Sequence, residues 1–179
     1  RTEKYAGCFN GYYDTPVVTP AQVQEFLEQA DRQEMLPDIT VWSRQEKQLV
    51  KGSVQVGVTA EVWSLFGSME DFFAGRLSSG SYVWQEDDEG CMVSTALAQK
   101  LFGTDKIQGN SIEIEKNSYV VRGCIESKDL FAAVLADREK ELEGLYLEYA
   151  NKSEPGSSAR KLMWQITGRE PEGFWEGNL

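Results

Sequence analysis

Apolar positions recur along this chain with two different spacings, and the spacing changes where turn residues intervene. Residues 1 to 18, carrying Tyr5, Cys8, Phe9, Tyr12, Tyr13, Val17 and Val18, read as an irregular or extended lead-in. Thr19-Pro20-Ala21-Gln22 then predicts a helix start, with Thr19 as cap, Pro20 at the first helical position and Gln22 completing a capping box. Val23, Phe26, Leu27 and Ala30 follow at i, i+3, i+4 and i+7, and Leu36-Pro37 marks the expected end. From Ile39 the period becomes two: Val41, Leu49, Val50, a turn at Lys51-Gly52, then Val54, Val56 and Val58 alternate with polar partners as a hairpin or meander.

The middle and end of the chain continue the alternation of types. A short helix is expected over residues 60 to 66, a compact aromatic segment over 69 to 76, and a loop over 78 to 90. Cys91-Met92-Val93 reads as a strand, and Ser94 caps a helix that runs through Leu101-Phe102 to a stop at Gly103. Residues 111 to 115 and 118 to 125 form a second expected hairpin around Lys116-Asn117. A helix is expected from Ser127, with Leu130, Phe131, Val134 and Leu135 on one side, before Leu145, Leu147 and Tyr149 alternate as a strand. Residues 158 to 167 predict a last helix stopped by Gly168, and the tail from Arg169 reads as loosely attached. The order α, ββ, α, β, α, ββ, α, β, α predicts an α+β fold, a mixed sheet with packed helices, rather than a regular βαβ repeat.

Length and charge narrow the function. A chain of 179 residues and this composition, 41% hydrophobic and 26% charged, should fold as one domain spanning residues 1 to 179, with room for two lobes. Its net charge of −11 repels nucleic acid over most of the surface. The absence of histidine removes Ser-His-Asp and Cys-His sites, imidazole bases and every His-containing zinc set. Cys8, Cys91 and Cys124 are too few and dispersed for a disulfide framework or an all-cysteine metal site. Cys91 and Cys124, both in expected strands, could pair, but buried free thiols are the favoured reading. No glycine-rich phosphate motif occurs, and Glu86-Asp87-Asp88-Glu89 lacks the spaced ligands of a calcium loop, so it reads as a solvated tip. We therefore expect no catalytic residue, no cofactor and no metal. The longest apolar run, Leu130 to Ala136, falls far short of the roughly 18 residues that span a bilayer.

Of five tryptophans, Trp42, Trp63 and Trp164 fall where core positions are expected. Trp84 in the acidic loop and Trp175 in the tail do not, and they are the candidate partner contacts.

The segment from residue 57 to residue 125 carries a resemblance. Gly57-Val58-Thr59-Ala60-Glu61-Val62-Trp63 is followed by Phe73-Ala74-Gly75-Arg76 and then by Cys91-Met92-Val93-Ser94-Thr95-Ala96-Leu97-Ala98-Gln99-Lys100-Leu101-Phe102-Gly103. Gln108-Gly109-Asn110-Ser111-Ile112 and Tyr119-Val120-Val121-Arg122-Gly123-Cys124-Ile125 complete the series. In order and spacing it resembles the MacB-like periplasmic core domain of FtsX-related ABC transporter permeases. Trp63, Arg122 and Cys124 depart from the pattern, which usually has Phe or Tyr, an aliphatic residue and Val there. Gly75, Arg76, Phe102, Gly103, Gly109 and Gly123 are the motif positions, and their roles read as structural.

The resemblance implies a noncatalytic domain on the extracytoplasmic face of the cell membrane, inserted as a loop between two transmembrane helices. Residues 169 to 179 would lead into the second helix, with Phe174 and Trp175 close to the interface. It also implies a second permease subunit, a cytoplasmic ABC ATPase, an accessory extracytoplasmic protein, and a peptide, lipoprotein or antibiotic as the transported substrate. Two other classes stay open at this point: a freestanding extracellular ligand-binding or adhesion module, and a small secreted hydrolase working through carboxylates.

Overall fold

The computed structural model describes residues 6–31, 35–52 and 57–177. Its first elements are β1 (Cys8–Tyr12), α1 (Pro20–Gln29), β2 (Asp38–Lys51), β3 (Gly57–Phe66), α2 (Met69–Phe72), β4 (Leu77–Gly80) and β5 (Gly90–Ser94). There follow α3 (Thr95–Phe102), β6 (Ser111–Ile114), β7 (Asn117–Ile125), β8 (Phe131–Leu135), β9 (Gly144–Glu148), α4 (Gly156–Thr167) and β10 (Gly173–Glu176). This is the expected α+β class with a mixed sheet. Val54 and Val56 lie outside the described residues.

The chain divides into two compact units, matching the two lobes allowed by its length. The first comprises residues 1–43, 66–73 and 136–179; the second comprises 44–65 and 74–135. Each has its own core.

In the first unit β1 lies between β10 and β9, and β9 pairs on its other side with β2, every pairing antiparallel. Phe9, Leu145 and Leu147 cluster with Val23 of α1 and with Ala159, Leu162 and Met163 of α4. Alternate residues carry a second, aromatic layer: Trp42 lies 6.1 Å from Phe72 of α2, and Tyr146 lies 5.6 Å from the same ring. The buried indole N–H of Trp42 donates to Asn10 Oδ1 at 2.9 Å, which satisfies a polar group that burial would otherwise penalise. Thr19 caps α1 as predicted, since its hydroxyl accepts from Gln22 N–H at 3.1 Å while Gln22 Oε1 accepts from Thr19 N–H at 2.9 Å. The helix stops at Gln29, earlier than Leu36-Pro37 suggested.

The second unit mixes strand directions. β3 and β8 are parallel, β8 and β5 antiparallel, β5 and β7 parallel, and β4 closes this edge antiparallel to β7. β6 pairs with β7 and with the end of β2. Leu97, Ala98 and Leu101 of α3 pack with Val93, Ile107, Ile112, Val121, Cys124, Ala132 and Val134. Ser94 caps α3 through Leu97 N–H, and Gly103 ends it at φ 72°.

Five expectations are corrected. A helix is expected over residues 60 to 66 and another from Ser127 through Leu135, yet residues 60 to 66 belong to β3 and 131 to 135 to β8. These strands pair with one another and bury consecutive side chains, Val62 to Leu65 and Phe131 to Val134, so the alternation that announces a half-exposed strand is missing. The expected loop at residues 78 to 90 begins inside β4. The second hairpin turns at Glu115 and Lys116, with φ 48° and 74°, rather than at Lys116-Asn117. Most consequential, the tail is not loose: β10 pairs residue by residue with β1, from Phe9↔Glu176 to Tyr12↔Gly173.

Candidate functional site

The loop between β4 and β5 holds the most exposed aromatic ring that the sequence singled out. Trp84 is 81% exposed, and it lines a solvent-open groove of about 520 Å³ with Gln85, Glu86 and Asp87. The backbone beneath it is fastened at several points. Asp87 N–H donates to Trp84 O at 3.0 Å, Ser81 N–H to Arg122 O at 3.0 Å, and Val120 N–H to Glu89 O at 2.8 Å. Arg122 of β7 reaches the loop with two bonds to one carboxylate, Nε to Asp87 Oδ2 at 2.8 Å and Nη2 to Asp87 Oδ1 at 3.2 Å. Those bonds hold the Asp87 carboxyl below its usual range, against the smaller opposing pull of partial burial. The bare Cα of Gly90 leaves room for the pair.

Arg122 is thus an anchor of the Trp84 loop, a role that the sequence showed only as a departure from the motif. Its place in the motif is normally aliphatic, and its partner lies 35 residues away, so no local pattern announces the pair. Asp87 does double duty. It leaves the acidic run as a structural anchor, while Glu86, Asp88 and Glu89 stay exposed in the same loop.

Trp175 lies elsewhere, in β10 of the first unit, opposite Asn10 and half-buried. Beside it Phe174 stacks on Phe9 at 5.8 Å, and the Arg160 guanidinium sits 4.4 Å from the Phe174 ring centre. The two candidate contact residues therefore belong to different units. Trp42 and Trp63 are buried as expected, but Trp164 is 53% exposed on α4, a correction. It falls off the inward stripe of Ala159, Leu162 and Met163, which a helical projection would have revealed.

The family-motif positions serve the fold of the second unit. Gly75 approaches the Glu126 backbone, and Arg76 pairs with the Glu126 carboxylate at 3.4 Å. Phe102 packs on the second core, Gly109 makes a turn at φ 88°, and Gly123 lies where a side chain would meet Ser79 and Ser81.

The three cysteines are free and buried. Burial pushes the Cys91 thiol up to about 12 and raises Cys8 and Cys124 as well. None is a ready thiolate nucleophile. Cys8 Sγ donates to Glu148 Oε1 at 3.6 Å, and burial, with Asp71 nearby, raises the Glu148 carboxyl. Among the described residues, no three His, Cys, Asp or Glu side chains gather as a metal site, and no helix is long and apolar enough to cross a membrane.

Solved structures supply the decisive comparison. The chain superposes on the periplasmic region of MacB from Actinobacillus actinomycetemcomitans with a TM-score of 0.77, over 97% of this chain and 89% of that one, at 9% identity. The fold is that of a MacB-like periplasmic core domain. The extracellular domain of the noncanonical ABC-type transporter YknZ from Gram-positive bacteria shares this MacB-like fold, with a TM-score of 0.70 over 95% of this chain and 98% of that one at 12% identity. So does a domain of a protein described as a permease from Porphyromonas gingivalis, with a TM-score of 0.64 over 92% and 85% at 15% identity. No family model and no curated protein matches the sequence. The MacB-like fold is therefore shown by shape, where sequence identity is too low to show it.

Proposed function

We propose that this chain is a noncatalytic extracytoplasmic domain of an ABC transporter permease. It is inserted between two transmembrane helices and passes ATP-driven motion on to a substrate or an accessory protein. The observation that carries this reading is the match to the MacB periplasmic region over 97% of the chain. The pairing of β1 with β10 supports it. Gly177 N–H donates to Cys8 O at 2.7 Å, so β1 and β10, the first and last described strands, place Cys8 beside Gly177. Two tethers leaving one point can enter one bilayer, and a hinge there moves the attached unit as a body. A second permease copy and a cytoplasmic ATPase complete the machine in this reading.

The test is accessibility in the full-length protein on intact cells. Lys161, exposed on α4, is replaced by cysteine, the native thiols being buried. Labelling of Lys161→Cys by a membrane-impermeant maleimide is expected before the membrane is opened. Labelling that needs permeabilisation would overturn the extracytoplasmic assignment. The noncatalytic half of the reading is checked by a panel of glycoside, ester, peptide and phosphate substrates, where turnover abolished by one Asp or Glu substitution would sink it.

A further inference from the structure

We propose that the Trp84 loop is a docking site for a polypeptide segment that presents lysine or arginine side chains, with the cation lying over the indole. This deepens the partner-binding role above and rests on it.

An indole exposed at 81% on a loop fastened by an Arg122–Asp87 ion pair is not a fraying tip. Its backbone is already ordered, so a partner meets a preorganised surface and little ordering entropy is lost on contact. The chemistry of that surface is specific. Tryptophan is the best aromatic face for a cation; Glu86 lines the recess with it, and Asp88 and Glu89 follow as exposed carboxylates in the same loop. Arg122 neutralises Asp87 from below, and that leaves the negative field concentrated on the outer side of the loop. The chain as a whole, at net −11, draws cations toward it before contact. The solvent-open recess of about 520 Å³ lined by Trp84, Gln85, Glu86 and Asp87 has the volume for a long cationic side chain.

The experiment uses this chain in solution with a blocked decapeptide of alternating arginine and glycine. The controls are the same peptide with glutamate for arginine, and magnesium chloride. Binding is followed by the ¹⁵N–¹H signal of the Trp84 indole, assigned with Trp84→Phe, and, in the parent and in every variant alike, by the backbone amide signals of residues 85 to 90. The arginine peptide should move that signal, and added salt should weaken the effect. Trp84→Leu, which keeps apolar area but loses the π face, should weaken binding roughly threefold to tenfold. Trp84→Phe should fall between it and the parent, and unchanged signals elsewhere report that each variant is folded. The triple change Glu86→Gln, Asp88→Asn, Glu89→Gln should weaken binding and flatten its salt dependence. An indole signal that stays still, a Trp84→Leu variant that binds as the parent does, or an equal response to magnesium would overturn the proposal. Those failures would leave the maleimide result untouched, so the docking site and the permease reading stand or fall separately.

Discussion

Gly103 and Gly123 show two reasons for the same residue. Gly103 holds φ 72° with open space around its Cα, so its cost on substitution is purely conformational. Gly103→Ala should lose about 1 kcal/mol, and Gly103→Val more, because a β-branched residue is poorer still at positive φ. Gly123 instead lies with Ser81 O 2.5 Å and Ser79 O 2.8 Å from where a Cβ would stand. Gly123→Ala should therefore cost more than Gly103→Ala in urea unfolding, since backbone has to shift. Glu148 gives a pH signature. Its carboxyl is raised from 4.5 by burial first, so the native state holds the proton more tightly than the unfolded one. Stability then falls as pH rises from the unfolded value through the native one. Glu148→Gln should flatten that slope and leave the protein at least as stable at pH 7, measured by melting across pH 4 to 8. Asp87 has the opposite sign. Its carboxyl is lowered from 3.8 by Arg122, so its contribution is present above that value and lost as pH falls through the native one. Asp87→Asn should remove this acid-side loss.

Elements were legible where one face met water. The capping box at Thr19, the Ser94 cap and the left-handed glycine stops at Gly103 and Gly168 are local chemistry, and the structure shows each of them. Residues 62 to 65 of β3 and 131 to 134 of β8 were not legible, because a strand segment buried on both faces carries no alternation for a sequence to display. β10 failed for another reason. Gly173-Phe174-Trp175-Glu176 is short and flanked by Pro171 and Gly177, and only a partner more than 160 residues earlier makes it a strand. Phe174→Ala should destabilise the protein by about 1 to 2 kcal/mol through lost stacking on Phe9 and lost contact with Arg160. Hydrogen exchange should find the β10 amides that face β1 protected. A melting curve equal to the parent's, with those amides exchanging as a free tail, would contradict the pairing.

The whole molecule separates into two cores that the chain crosses into and out of. The second unit is nearly continuous, residues 44–65 and 74–135, whereas the first is assembled from three pieces. A fragment of residues 44 to 135 should therefore keep a cooperative thermal transition, with its core around Leu97, Val121 and Ala132 intact. The complementary pieces, lacking a continuous backbone, should not fold. A fragment that shows secondary structure without a cooperative transition would mean that the second core depends on the rest of the chain.

By itself the sequence determined the fold class, the capped starts of α1 and α3, the absence of histidine chemistry, and the motif series from Gly57 to Ile125. Those properties follow from composition and from interactions within a few residues, which a linear pattern records. Tertiary structure alone decided that the tail is an edge strand, that Cys8 and Gly177 meet, and that Arg122 pins Asp87 in the loop of an exposed Trp84. Each of these joins residues 35 or more positions apart. Such pairs form only once the sheet has set its register, and no local preference encodes which strand will lie beside which.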